Sequence, residues 1–226
     1  MGSEMCIRDS SCSLIILLNS NITQKFFVDG PTGKLETVLA EPNSERRHGI
    51  AIIAHPHPLY GGTMDNKVVH TLFKALFELG FVTVKFNYRG VGKSEGSYGD
   101  GLGETEDAIA VVEAIRDQFD AGSNNLPLLL AGFSFGGAIQ AHVAKITSPE
   151  SIIMVAPSVD HLQAPSVSSY AKRVLIIQGD QDEVVPLKKV SEWAAPQDLP
   201  IVVVPAAEHF FHGKLHIIKR TVLDWY

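Results

Sequence analysis

Residues 127–137 read PLLLAGFSFGG, an apolar run that leads directly into a glycine-rich turn. The apolar residues predict a buried strand, and the segment 137–144, GAIQAHVA, predicts a helix after the turn. The pattern G-x-S-x-G between them is typical of a sharp bend that lifts a serine side chain clear of the backbone. Glycine on both sides omits the Cβ atoms that would collide in such a bend. Ser134 is therefore predicted to be a nucleophile, and the alternative is an ordinary strand–helix turn built of small residues.

Apolar runs and helical patterns alternate along the rest of the chain. Strands are predicted at 49–54, 81–86, 151–155, 173–177 and 201–204, and helices at 65–79, 104–119, 186–195 and 213–225. Two earlier runs, 23–28 and 35–40, predict a hairpin at the sheet edge. This order predicts an α/β fold with a mostly parallel central sheet, an N-terminal antiparallel hairpin and helices on both faces. Functional groups are then expected at the carboxyl ends of the strands.

The length and composition fit one domain. The chain has 226 residues, of which 45% are hydrophobic and 19% charged, as in ordinary globular proteins. Residues 1–13 show no periodicity, and the apolar run 14–18 is too short to span a bilayer. We expect residues 1–20 to be a non-native or disordered leader and residues 21–226 to form a single domain.

The net charge and the cysteine content indicate which partners and which cellular compartment to expect. The net charge of −6 argues against nucleic acid and anionic membranes, because both attract basic surfaces. The two cysteines, Cys6 and Cys12, precede the first predicted strand, so no disulfide or cysteine metal site is expected in the body of the fold. A reducing compartment fits this pattern, and we expect a cytoplasmic protein without cofactor or metal. The oligomeric state is left open.

A predicted nucleophile needs an acid partner, and the segment after the strand 173–177 offers two. Asp182 is favoured because it lies far enough from the strand to turn back towards the serine, whereas Asp180 is close enough to be used within the turn. Asp160, after the preceding strand, is a weaker third candidate. In the alternative interpretation these acids only shape the loop and cap the helix that begins at Pro186.

The predicted base is His209, which lies between the last strand and the last helix. Histidine suits this role because its pKa near neutrality allows it to accept and return a proton. His212 and His216 are interpreted as surface or helix-start histidines. The chain order Ser134, Asp182, His209 is the one used with this type of serine bend.

Backbone N–H groups must stabilise the negative charge that develops on the substrate oxygen. The first is predicted to be that of Phe135, directly after the nucleophile at a helix start. The second should come from the segment HPHPLYGG at 55–62, where the two prolines have no N–H. His57, Leu59 and Tyr60 then remain, of which His57 is the first choice and Leu59 the second.

The histidines of this segment also permit a metal-site interpretation. His55 and His57, with Asp65 nearby, could bind a metal ion, but no third ligand occurs at a convincing spacing. A histidine that packs in the loop or orients the oxyanion site is the favoured interpretation.

Together these segments resemble the α/β-hydrolase superfamily. Five matches occur in the expected order: HPHP…GG at 55–62, NYRGVGKSEG at 87–96, GFSFGG at 132–137, GDQDEVVP at 179–186 and AAEHFF at 206–211. The similarity is greatest to compact bacterial members, close in size to dienelactone hydrolases. Those enzymes use a cysteine nucleophile where this chain has Ser134, so their substrate is not transferred.

The resemblance implies a serine hydrolase in which Ser134 attacks an acyl carbonyl, His209 accepts its proton and Asp182 holds the imidazole. It implies a small-molecule acyl ester as substrate, with Tyr60, Phe133 and Phe210 in contact with it. Only residues 156–172 separate two strands between which a lid usually lies, so we expect an open site without a cap. Cleavage of thioesters or amides, or acyl transfer, would use the same residues.

Two alternatives come from other functional classes. A nucleotide-binding P-loop is suggested by Gly92, Lys93 and Ser94 after a strand, but Asn87 stands where that pattern needs glycine. A non-catalytic binding protein of the same fold is the other alternative, since fold does not determine function.

Overall fold

The computed structural model describes residues 14–18, 21–43, 47–119 and 125–226. Its nine strands are β1 Leu14–Leu18, β2 Asn21–Gly30, β3 Gly33–Glu41, β4 Gly49–Ala54, β5 Phe81–Phe86, β6 Leu128–Phe133, β7 Ser151–Val155, β8 Arg173–Gly179 and β9 Ile201–Val204. Its five α-helices are α1 Lys67–Glu78, α2 Leu102–Phe119, α3 Phe135–Thr147, α4 Leu187–Ala194 and α5 Leu215–Trp225.

All these strands form one sheet in the order β1-β2-β3-β5-β4-β6-β7-β8-β9. The first three pair antiparallel, and β3 pairs antiparallel with β5. From β5 to β9 every neighbouring pair is parallel. The predicted class, a mostly parallel sheet with an N-terminal antiparallel hairpin, is confirmed.

The alternation of side chains along β4 divides the interior into two cores. Ile50 and Ile52 join the core that contains the apolar face of α2 and α3. Ala51 and Ile53 join the core that α1 and α5 cover on the opposite face. A continuous apolar run is needed here because a strand between two helical layers has no solvent-facing side.

Four predicted strands have the observed bounds, and the other predicted elements differ from the structure by one to three residues at their ends. Strand β8 continues to Gly179, two residues beyond the prediction, and α2 begins at Leu102 instead of 104. The predicted hairpin is formed by β2 and β3, but β1 pairs outside it and forms the sheet edge. The predicted leader thus includes residues of β1, whereas residues 1–13 and 19–20 lie outside the described part of the chain.

The connection between β7 and β8 leaves the carboxyl edge of the sheet uncovered. Residues 156–172 contain turns but neither a helix nor a strand. The prediction that the fold has no cap is confirmed.

Candidate active site

A strained residue links β6 to α3. Ser134 has φ 56° and ψ −118°, and its backbone N–H donates to the carbonyl of Val155 on the neighbouring strand. A Cβ at Gly132 would overlap the carbonyl oxygen of Gly136, and a Cβ at Gly136 would overlap that of Ala54. The two glycines therefore allow the helix to start directly against the strands, which forces the intervening serine into its unusual conformation.

The structure brings the three predicted side chains into one hydrogen-bonded chain. Ser134 Oγ lies 3.0 Å from His209 Nε2, and His209 Nδ1 lies 2.8 Å from Asp182 Oδ2. These residues follow β6, β9 and β8, so all three stand at the carboxyl edge of the sheet. All three are buried, at 5–6% exposure.

The carboxylate of Asp182 is surrounded by donors. Its Oδ1 accepts the backbone N–H groups of Val184 at 3.0 Å and Val185 at 2.7 Å. Its Oδ2 accepts the Gln178 amide at 3.1 Å as well as His209 Nδ1. Four donors of this kind fix the plane of the carboxylate.

The rival acids and histidines form no hydrogen bond with Ser134 or His209 in the described part of the chain. Asp180 is exposed, and Asp160 pairs with Lys189 at 3.0 Å. His212 pairs with Glu208 at 2.9 Å on the surface, and His216 is exposed on α5.

The aromatic residues predicted to contact substrate differ in exposure. Phe133 is fully buried, and its ring centroid lies 5.0 Å from that of His209, so it supports the histidine from below. Because none of its surface is accessible, Phe133 has no contact to offer a substrate in this structure. Phe210, 45% exposed, packs edge-on against His209, and Tyr60 is 86% exposed beside His57.

The backbone amides predicted for the oxyanion site are distinguished by their hydrogen bonds. The N–H of Leu59 donates to His57 Nδ1 at 3.2 Å, and that of Tyr60 donates to the carbonyl of His57 at 3.2 Å. The N–H groups of His57 and Phe135 donate no hydrogen bond within the described part of the chain. The second choice, Leu59, is thus already engaged.

The His57 side chain is held by three neighbours. Since its Nδ1 accepts from Leu59, the proton of the neutral ring lies on Nε2 and donates to the hydroxyl of Tyr98 at 3.2 Å. Its ring packs on Phe135 at 4.7 Å between centroids. Burial, with nearby His161 as a second cause, lowers the pKa of His57.

Tyr98 is a site residue that the sequence analysis missed. It lies in the long loop before α2. Arg89 holds this loop against α2 through a forked ion pair to buried Asp107 at 2.7 Å. An aromatic residue inside the glycine-rich stretch EGSYGDG was the available signal. In the same loop, Ser94 bonds the Asn87 carbonyl and α2 begins only at Leu102, an arrangement unlike a P-loop.

Two further residues, one beside Ser134 and one beside Asp182, gave no sequence signal. Ser158 Oγ lies 3.3 Å from Ser134 Oγ, and Gln178 reaches Asp182 from the end of β8. Both depend on contacts between segments distant in sequence, which neither periodicity nor motif spacing reveals.

His55, weighed as a metal ligand, has both ring nitrogens in use. Nδ1 contacts the Pro56 carbonyl at 2.7 Å, and Nε2 accepts the N–H of Tyr88 at 3.2 Å. Burial lowers the pKa of His55 to about 3. Asp65 in turn pairs with Lys85 at 2.8 Å. These bonds favour the structural interpretation of His55.

A small cavity opens at Ser158, whose Oγ lies 3.3 Å from Ser134 Oγ. Its volume is about 260 Å³, and it is lined by Ser158, Val159, Asp160, His161, Val184, Val185, Pro186 and Lys189. Valine side chains and a proline form much of its wall, and the Asp160–Lys189 ion pair belongs to its lining.

Comparison with known proteins places the chain in a family. The profile of the serine aminopeptidase S33 family matches residues 59–175, more than half of the chain. The chain belongs to the α/β-hydrolase superfamily. This hydrolase contains Ser134 within the matched region, while Asp182 and His209 lie beyond it.

Three relatives cover nearly the whole hydrolase. An α/β serine hydrolase homologue from Coxiella burnetii is 42% identical with a TM-score of 0.81, over 92% of this chain and 98% of that one. A serine hydrolase without a lid from Xanthomonas campestris is 35% identical with a TM-score of 0.80, over 89% and 92%. An uncharacterized protein of Rickettsia prowazekii is 30% identical over 89% of this chain and 87% of its own length. Among the described residues, no helix of the hydrolase has the length and apolar character to cross a membrane.

Proposed function

We propose that this hydrolase cleaves small acyl esters through an acyl-enzyme formed on Ser134. The observation that carries the proposal is the hydrogen-bonded chain Ser134 Oγ–His209–Asp182, with links of 3.0 and 2.8 Å. The serine oxygen attacks the ester carbonyl carbon while His209 Nε2 takes its proton. The tetrahedral intermediate collapses, and His209 returns the proton to the departing alcohol oxygen. Water then attacks the acyl-enzyme by the same route and releases the acid.

The negative charge of the tetrahedral intermediate is assigned to the N–H groups of Phe135 and His57. Their having no other acceptor in the described residues supports this assignment. The Phe135 amide also stands at the first residue of α3, where the helix dipole favours an anion. Packing of the His57 ring on Phe135 couples the two donors.

The size of the substrate follows from the surroundings of the serine. The cavity of about 260 Å³ begins at Ser158, within reach of a group attached to the carbonyl carbon, and we assign the acyl group to it. It is smaller than the pockets of about 300–1,000 Å³ that hold drug-sized ligands. Exposed Leu59, Tyr60 and Phe210 give the surrounding rim an apolar character.

The second candidate reaction is amide or peptide cleavage on the same residues. It is favoured by the description of the matching family, serine aminopeptidase. Thioester cleavage and acyl transfer are also chemically open to an acyl-enzyme, and a panel of matched ester, thioester and aminoacyl-amide substrates ranks them by kcat/KM.

Covalent labelling tests the nucleophile. A fluorophosphonate should modify Ser134, found by mass spectrometry of the digested protein, and Ser134→Ala should abolish labelling. The same substitution should lower turnover of a p-nitrophenyl ester by about 10⁶-fold, as loss of a triad serine does. Ser168→Ala, at an exposed serine, is the matched control and should behave as the unaltered protein. Labelling elsewhere, or turnover that survives Ser134→Ala, would refute Ser134 as the nucleophile. Absence of both labelling and turnover in the unaltered protein would favour a binding role.

A further inference from the structure

Gln178 is a fully buried amide that faces the acid of the proposed triad. It lies near the carboxyl end of β8, and its Nε2 donates to Asp182 Oδ2 at 3.1 Å and to the Val185 carbonyl at 2.8 Å. Its amide thus bridges the carboxylate and the loop segment whose own N–H groups hold that carboxylate.

The chemistry of its partners fixes the orientation of this amide. Both the carboxylate and the carbonyl are acceptors, so only the NH₂ end can face them. The other end, Oε1, is buried and has no hydrogen-bond partner among the described residues. A buried unpaired carbonyl oxygen lowers stability. The hydrogen-bonded end of the Gln178 side chain is therefore the end directed at Asp182.

We propose that Gln178 is a positioning residue of the catalytic site, which rests on the proposed function. Its N–H fixes Asp182 Oδ2 in the direction of His209 Nδ1 and shares the negative charge of that oxygen. The histidine ring is thereby held with Nε2 towards Ser134, and the attraction between the carboxylate and a protonated ring is moderated.

Removal of this donor has two consequences. The carboxylate gains freedom to rotate about its Cβ–Cγ bond, so the ring is aligned less often and kcat falls while KM changes little. Without the Gln178 N–H, the full negative charge on Asp182 Oδ2 also stabilises the protonated form of the His209 ring more strongly. The acid limb of the kcat/KM profile therefore moves to higher pH.

The chain offers a close control for this test. Gln140 on α3 is also fully buried, with Nε2 on the carbonyls of Ile52 and Ala131 and with Oε1 unpartnered in the described structure. Its amide makes no contact with the proposed triad in that structure. Gln178→Met and Gln140→Met are therefore the same change in two similar environments, only one of which includes the carboxylate.

The experiment measures kcat, KM and their pH dependence per fluorophosphonate-titrated site, so incorrectly folded molecules do not count. Gln178→Met should lower kcat about 10-fold, by analogy with the loss that follows removal of a hydrogen-bond partner that orients a metal ligand, and should shift the acid limb of the pH profile to higher pH. Gln178→Glu, of the same shape, should lose most activity at high pH, where two carboxylates face each other. Gln140→Met should keep the unaltered pH profile.

Unchanged kcat and pH profile in both Gln178 variants would overturn the inference, as would an equal loss in Gln140→Met. Gln178→Glu provides the test if Gln178→Met cannot be obtained folded. Failure of the proposed function is separately visible, because the unaltered protein would then show no turnover that depends on Ser134.

Discussion

At the scale of single residues, the site depends on close backbone approach. Ser134 occupies a strained conformation that persists because Gly132 and Gly136 allow the neighbouring strand and helix to pack without Cβ atoms. His209 is held between the buried ring of Phe133 and its bond to Asp182. The proposed nucleophile and base are thus fixed by packing and hydrogen bonds before a substrate arrives, which limits the reorganisation required for attack.

His55 makes the stability of the fold depend on pH. Its Nε2 accepts the N–H of Tyr88, and protonation would place a second donor against that group. Because its pKa is lowered from 6.5 to about 3 in the folded state, the unfolded chain binds the proton first as pH falls. Its stabilising contribution is therefore complete above pH 6.5 and is lost on acidification towards pH 3, at about 1.4 kcal/mol per pH unit.

We expect the free energy of unfolding to fall more steeply between pH 7 and 5 in the unaltered protein than in His55→Gln. The difference should be about 2 kcal/mol, since pH 5 lies 1.5 units below the unfolded value. Urea unfolding at the two pH values measures it. His216→Gln, on the exposed face of α5, is the control and should keep the full pH dependence. Equal slopes in the unaltered protein and His55→Gln would contradict the role of His55.

At the scale of elements, the loop after β8 is expected to set acyl size. Val184 is 65% exposed and lines the cavity beside Ser158, so a larger side chain there can close the cavity without disturbing the core. Val184→Trp should lower kcat/KM about 10-fold for p-nitrophenyl hexanoate, a range typical of losing methylene contacts, and affect the acetate much less. Val202→Trp on β9, a partly exposed position outside the lining, should change neither.

Two ester series separate the possible occupants of this cavity. One varies the acyl chain with p-nitrophenol as the constant leaving group, and the other varies the alcohol of acetate esters. If Val184→Trp alters only the alcohol series, the cavity holds the leaving group and the acyl assignment is wrong.

Elements were also the scale at which sequence was most informative. The strands 49–54, 81–86, 151–155 and 201–204 have the predicted bounds, because each is a mainly apolar run, and the first three are buried along their whole length. The ends of β8 and α2 were misplaced because polar Gln178 continues the strand and Leu102, 73% exposed, starts the helix. The backbone conformation of these two residues depends on contacts with segments distant in sequence, which the local sequence pattern does not show.

The candidate site was likewise predicted only in part from the sequence. Ser134, Asp182 and His209 were predicted because each lies in a short motif after a strand, and parallel strands bring such segments to one edge. Tyr98 and Gln178 were not, because their roles arise from side-chain contacts at 3.2 and 3.1 Å across loops that no spacing rule connects. Phe133 is adjacent to Ser134 in sequence, yet strand alternation directs its ring into the core.

At the scale of the whole molecule, the absence of a cap limits how much of a substrate can be removed from water. Residues 156–172 cross from β7 to β8 without a helix or strand, and the cavity they help to form holds about 260 Å³. Each methylene buried contributes about 0.8 kcal/mol, but only while the acyl chain remains inside the cavity.

For p-nitrophenyl esters from acetate to palmitate, kcat/KM should therefore rise at first and then level or fall, because added carbons stay in solvent. Initial rates below the critical micelle concentration of each ester measure this, with Ser134→Ala as the blank. A continued rise through the longest chains would mean that the apolar rim around Leu59 and Phe210 forms a lipid groove, and that the site accepts far larger groups than its cavity suggests.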